Sequence, residues 1–166
     1  MYIHDDHMYH GSALIQVAEH PQFTAINSLK LGGVAVPVAY KINDEIALYL
    51  KYASVPTSTF KEYVFTFNKE HLDEIKRIKT TNQKMFVALV CVKVREICCL
   101  SYEQLLSMIT SRQNKKGAPE DQYAILVTAP KGKGLRVYVN NPGTKKKILG
   151  DPLIVARNTF PEILFL

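Results

Sequence analysis

Met85-Phe-Val-Ala-Leu-Val-Cys-Val92 is an unbroken apolar run of eight residues. It is far short of the roughly 20 residues a helix needs to cross a bilayer. It also has none of the alternation that leaves one face of a strand in water. Such a run reads as a strand buried on both faces, central in a sheet, with helices lying on that sheet. The run follows a helical stretch, which favours a parallel partner.

Working outward, Asn68 is placed to cap a helix with Glu70 in its first turn and Lys76, Arg77 and Lys79 in its last. Leu72, Ile75 and Ile78 give that helix one narrow apolar stripe, and the rest of it is solvated. On the other side, Glu96–Leu100 returns as a short partner strand. Ser101 then opens a capping box with Gln104, and Leu105, Leu106, Met108 and Ile109 follow on a second helix.

Towards the N-terminus, Val34–Ile42 and Glu45–Ala53 alternate around Asn43-Asp44 and read as a hairpin. Pro37 puts the first of these strands at an edge or on a bulge. Phe23–Leu31 is a strand before the Gly32-Gly33 turn, and Glu62–Phe67 is another. Ser12 is expected to cap a short helix that runs to Glu19 and stops before Pro21. The His-rich residues 1–10 are expected to form a flexible arm, with residues 11–166 as a single globular domain. Towards the C-terminus, a basic loop (112–121) leads to a second hairpin, Tyr123–Ala129 with Leu135–Asn140, and to an apolar tail, Ile154–Leu166, that can dock on the core. The expected class is mixed α/β (α+β): a mixed central sheet with about three helices, in the order α-β-β-β-α-β-β-α-β-β.

The 166 residues, 47% hydrophobic and 22% charged, suit one folded domain and exclude whole-chain disorder. The N-terminus lacks the basic and apolar regions of a signal peptide, and no segment suits a membrane. The three cysteines, Cys91, Cys98 and Cys99, sit in strand-like apolar runs and read as buried free thiols. A reducing cytoplasm fits them best. Gly-x-x-x-x-Gly-Lys-Ser/Thr, Gly-x-Gly-x-x-Gly and Gly-x-Ser-x-Gly are all absent.

Helix, three-strand meander, helix, strand, together with a strand that carries Leu48-Tyr49-Leu50-Lys51-Tyr52, resembles the core of the PD-(D/E)XK nuclease superfamily over residues 11–93. In that family an acid two residues before a lysine, with an aspartate on the preceding strand, holds a divalent metal beside the scissile phosphate. Lys51 matches the lysine. Glu19 matches the extra acid that some members carry near the end of the first helix. Tyr49, however, stands where the acid belongs, and Val34–Ile42 holds no carboxylate. Glu45 shares a face with Lys51 but lies about 20 Å along the strand. The resemblance therefore implies a degenerate, inactive nuclease-like fold with no cofactor. If the chain were active, it would be a metal-dependent nuclease using Lys51 and Glu19.

The formal charge is +6, and its distribution suggests a partner. Arg112, Lys115, Lys116, Lys131, Lys133, Arg136, Lys145, Lys146 and Lys147 lie mostly in loops and hairpin tips. Clustered tips can track the phosphates of DNA or RNA, with Tyr123 and Tyr138 as stacking faces. The bland alternative is that these loops are simply solvated. A second alternative is a protein-interaction or self-assembly module, such as a homodimer, using a strand edge or the tail Phe160–Leu166. A third is a metal-dependent hydrolase built on His4, Asp6, His7 and His10, whose spacing on a helix would pair His4 with His7 and Asp6 with His10. His20 and His71 have no partner visible in the sequence.

Overall fold

The run at Met85 lies in β5 (Lys84–Cys91), inside a five-stranded sheet of order β1-β2-β3-β5-β6. β5 pairs in parallel with β3 (Ile46–Ala53) and antiparallel with β6 (Glu96–Ser101). The sheet is completed by β1 (Ile26–Leu31) and β2 (Val34–Ile42), both antiparallel. This is a computed structural model, and it describes residues 1–144 and 146–166; Lys145 lies outside the described residues.

Both faces of β5 are covered, which is why its sequence never alternates. On one face, Leu48, Leu50, Ala88 and Val90 meet Ala13 and Val17 of α1 (Asp5–Ala18) and Phe160 and Leu164 of the tail. On the other, Tyr49, Val87 and Leu89 meet Ile75 and Ile78 of α2 (Lys69–Thr81), then Leu105 and Ile109 of α3 (Tyr102–Lys116). Each fully buried aliphatic side chain here contributes about 1.5–3 kcal/mol. Both helix caps form as the sequence requires: Asn68 Oδ1 accepts from the His71 backbone N–H at 2.8 Å, and Ser101 Oγ accepts from that of Gln104 at 3.1 Å.

The class is the expected mixed α/β fold with three main helices, but the strands divide between two sheets. β4 (Tyr63–Asn68), β7 (Gln122–Thr128), β8 (Leu135–Tyr138) and β9 (Leu153–Val155) form a separate antiparallel sheet of order β4-β7-β8-β9. Its inner face, with Phe65, Phe67, Ile125, Val127 and Val137, closes the core shared with α2 and α3. β4 is the strand expected at Glu62–Phe67, although the expected order counts only three strands before α2, and β9 is an addition. The alternation Tyr63-x-Phe65-x-Phe67 marks β4 as half-buried, but alternation does not say which sheet a strand joins.

Residues 5–10, expected in a flexible arm, are helical. α1 begins at Asp5 rather than after Ser12, because His10, Ala13 and Val17 form one buried stripe and Asp5 and Asp6 favour the helix N-terminus. The hairpin turns at Asn43 and Asp44, with φ of 52° and 61°, the left-handed pair that a tight turn demands. Asn43 also ties down the chain before β1: its Oδ1 accepts from the Thr24 and Ala25 N–H groups at 2.7 and 3.2 Å. Pro37 falls where the β1–β2 register shifts. The three cysteines are free and buried. Phe160 and Leu164 are buried, so the tail docks on the core, while Leu166 stays exposed. Among the described residues no helix is long and apolar enough to cross a membrane.

Candidate functional site

β2 pairs with β3 only as far as Ala39–Tyr49, so Lys51 has Leu89 of β5 on one side and no β2 residue on the other. Its ammonium sits 4.8 Å from the centre of the Phe67 ring and 3.4 Å from Nδ1 of His71. The cap of α2 fixes that imidazole, since Nδ1 also accepts the Asn68 backbone N–H at 3.3 Å. One turn on, Glu74 accepts from the Tyr49 hydroxyl at 3.2 Å. Spacing of three places His71 and Glu74 on one face of α2, over β3.

Burial pulls the Lys51 ammonium below its ordinary value, and the Glu74 charge opposes that shift. Burial, and then the Lys51 charge, lowers His71 as well. Burial first, then Glu74, drives the Tyr49 hydroxyl far up. The cluster therefore holds a half-buried cation beside a neutral imidazole, together with a tyrosine locked onto a single carboxylate. This Tyr–Glu pair occupies the place where the resemblance requires a metal-holding acid. Among the described residues no three His, Cys, Asp or Glu side chains are grouped to hold a metal ion.

Glu19 does not join Lys51. α1 runs with His10 packed on Tyr52, at the Lys51 end of β3, while Glu19 is exposed nine residues further along the helix. At 1.5 Å per residue that is about 14 Å away. Of the N-terminal histidines, His4 and His7 come together, with ring centres 5.2 Å apart and His7 Nδ1 accepting the His4 backbone N–H at 3.1 Å, while His10 is buried separately against Tyr52. His20 has the acid partner that its sequence context hid. Its Nε2 lies 2.6 Å from Glu162 of the tail, and its ring stacks on Phe165.

The basic residues separate into three groups. Arg112 is enclosed: Nε and Nη2 donate to the two oxygens of Glu120 at 2.6 and 3.0 Å, and Nη1 donates to the Asn140 carbonyl at 2.7 Å. Lys116 also faces Glu120, at 3.4 Å, and Lys115 is exposed at the end of α3. Lys133 lines a shallow cleft beside Ile154 and Arg157. Lys147 is exposed in the loop after Gly143. The third group comes together. Lys131 and Arg136 line an open cleft of about 490 Å³ with Lys61, Phe60, Tyr63 and Thr128. Lys146 reaches the same place, its ammonium 5.9 Å from the centre of the Phe60 ring.

Compared with models of protein families, with curated proteins and with solved structures, the chain matches none.

Two built loops form the walls of that cleft. In one, Thr57 Oγ1 accepts the Glu62 N–H at 3.0 Å, the Thr57 N–H donates to the Glu62 carbonyl at 2.9 Å, and Lys61 takes a φ of 54°. This loop presents Phe60, which is 49% exposed, and Lys61. In the other, Arg157 donates to the carbonyls of Pro130 and Lys133, both at 2.7 Å, and to Glu96 at 3.2 Å, which ties the Lys131 loop to β6 of the first sheet. Phe60 and Lys61 were not legible as site residues. The only signal was an aromatic beside a lysine in a loop. Tyr123 and Tyr138, the expected stacking faces, are buried; the Tyr138 hydroxyl donates to Glu62.

Proposed function

We propose that this chain binds nucleic acid through the Phe60 cleft, on a nuclease-like core that does not cleave. The observation that carries this reading is the convergence of Lys61, Lys131, Arg136 and Lys146 around an exposed aromatic ring, with no carboxylate among the residues that line the cleft. Cations that make no ion pair among the described residues can neutralise phosphates and release counterions. A half-exposed ring adds a stacking face. The inactive core is supported by Tyr49, bonded to Glu74 where a metal-holding carboxylate is required, and by the distance of Glu19 from Lys51.

Fluorescence-anisotropy titration of a labelled oligonucleotide across a salt series tests the binding. Four phosphate contacts give a log–log slope of about −3 on a single strand, from about −0.7 per contact. Replacing Lys61, Lys131 and Lys146 together by alanine flattens that slope by about 2. Binding that ignores salt, or a triple variant that binds like the wild type, contradicts the assignment. Plasmid DNA incubated with magnesium or manganese is expected to stay intact. Nicking that disappears in Lys51→Ala would establish a working nuclease instead.

A further inference from the structure

We infer that the ligand of the Phe60 cleft is an unpaired nucleotide, so that the chain prefers single-stranded nucleic acid to duplex. This rests on the nucleic-acid reading above and goes further in naming the substrate class. Two observations support it.

The first is shape. The site is a concavity of about 490 Å³ between two loops, with Pro56, Tyr63 and Val94 supplying apolar surface. Small-molecule pockets run from about 300 to 1,000 Å³, the scale of one nucleotide. A duplex is read by elements that protrude into its grooves, a helix or a two-stranded ribbon, and a concavity does the reverse. The second is the ring. Phe60 keeps 49% of its surface in solvent, inside the cleft and among the cations. In a duplex each base face is covered by its neighbours, so only an unpaired base can stack on Phe60. The Lys146 ammonium, now near the ring, is placed to move onto the adjoining phosphate.

The test compares wild type, Phe60→Ala and Phe60→Tyr on single-stranded DNA and RNA of about twelve nucleotides, a length within the usual site sizes, and on the matching duplexes. Wild type is expected to bind a single strand at least about tenfold more tightly than the duplex. Phe60→Ala should lose about tenfold on the single strand with no change in salt slope, since no charge is removed, and Phe60→Tyr should restore binding. Equal or tighter duplex binding, or a Phe60→Ala variant indistinguishable from wild type on single strands, overturns the inference while leaving salt-dependent binding standing. If wild type binds neither form, both readings fall together.

Discussion

Arg112 and Arg136 carry the same charge in the same basic half of the chain, yet the fold uses them in opposite ways. Arg112 lies in the C-terminal half of α3 with both edges of its guanidinium filled, by the Glu120 carboxylate and the Asn140 carbonyl. It holds the chain after α3 against the end of β8. Arg136 lies on β8 with its guanidinium 6.0 Å from the Tyr138 ring and makes no ion pair among the described residues. Counting cations along a sequence cannot separate these two states. A cation serves a partner only where the fold has left it without a counterion.

The contrast breaks most visibly at Arg112. Arg112→Ala removes charge-assisted hydrogen bonds worth about 1.5–3 kcal/mol and leaves Glu120 half-paired in a partly buried place. Urea unfolding should show a loss of about 2–3 kcal/mol, with oligonucleotide affinity at the stability-permitting temperature unchanged. If instead affinity falls and stability holds, the two arginines have exchanged roles.

Arg136→Ala is the reciprocal experiment. Its unfolding midpoint should stay put, while the salt slope of oligonucleotide binding flattens by about 0.7. Loss of stability without loss of binding would remove Arg136 from the interface.

The smallest effect is a pH dependence. The Arg112 hydrogen bonds, and after them Lys116, hold the Glu120 carboxyl below its ordinary value of 4.5. The unfolded chain therefore takes up this proton first as pH falls. The stabilisation is complete above about 4.5 and is lost as pH drops through the lower folded-state value. Glu120→Gln should lower stability at neutral pH and flatten its decline on the acid side, read as unfolding midpoints across the pH series. An unchanged acid limb would show that the pair contributes nothing in solution.

Much of the fold was legible because local rules and tertiary contacts agree. The caps at Asn68 and Ser101 and the Asn43-Asp44 hairpin each rest on groups within a few residues of one another, and so does the two-sided burial implied by Met85–Val92. The misses have a shared cause. The first half of α1 was hidden because its stripe includes His10, a residue whose burial depends on the Tyr52 ring across the layer. The second sheet was hidden because alternation in β4 fixes a face and not a partner. In the site, Lys51 stood out as a lysine on a strand, but its neighbours His71 and Glu74 come from α2, about twenty residues on. Phe60 and Lys61 gain their meaning only from Lys131, Arg136 and Lys146, which lie beyond four strands and two helices in the sequence.

The sequence by itself determined the elements, the central strand and the excess of positive charge, because propensity, periodicity and charge are properties of neighbouring residues. Only the tertiary structure decided which cations are neutralised and which are free, since ion pairing is a matter of distance in space. Glu120 reaches Arg112, while among the described residues that line the Phe60 cleft there is no carboxylate, and that difference separates a neutralised arginine from a free one.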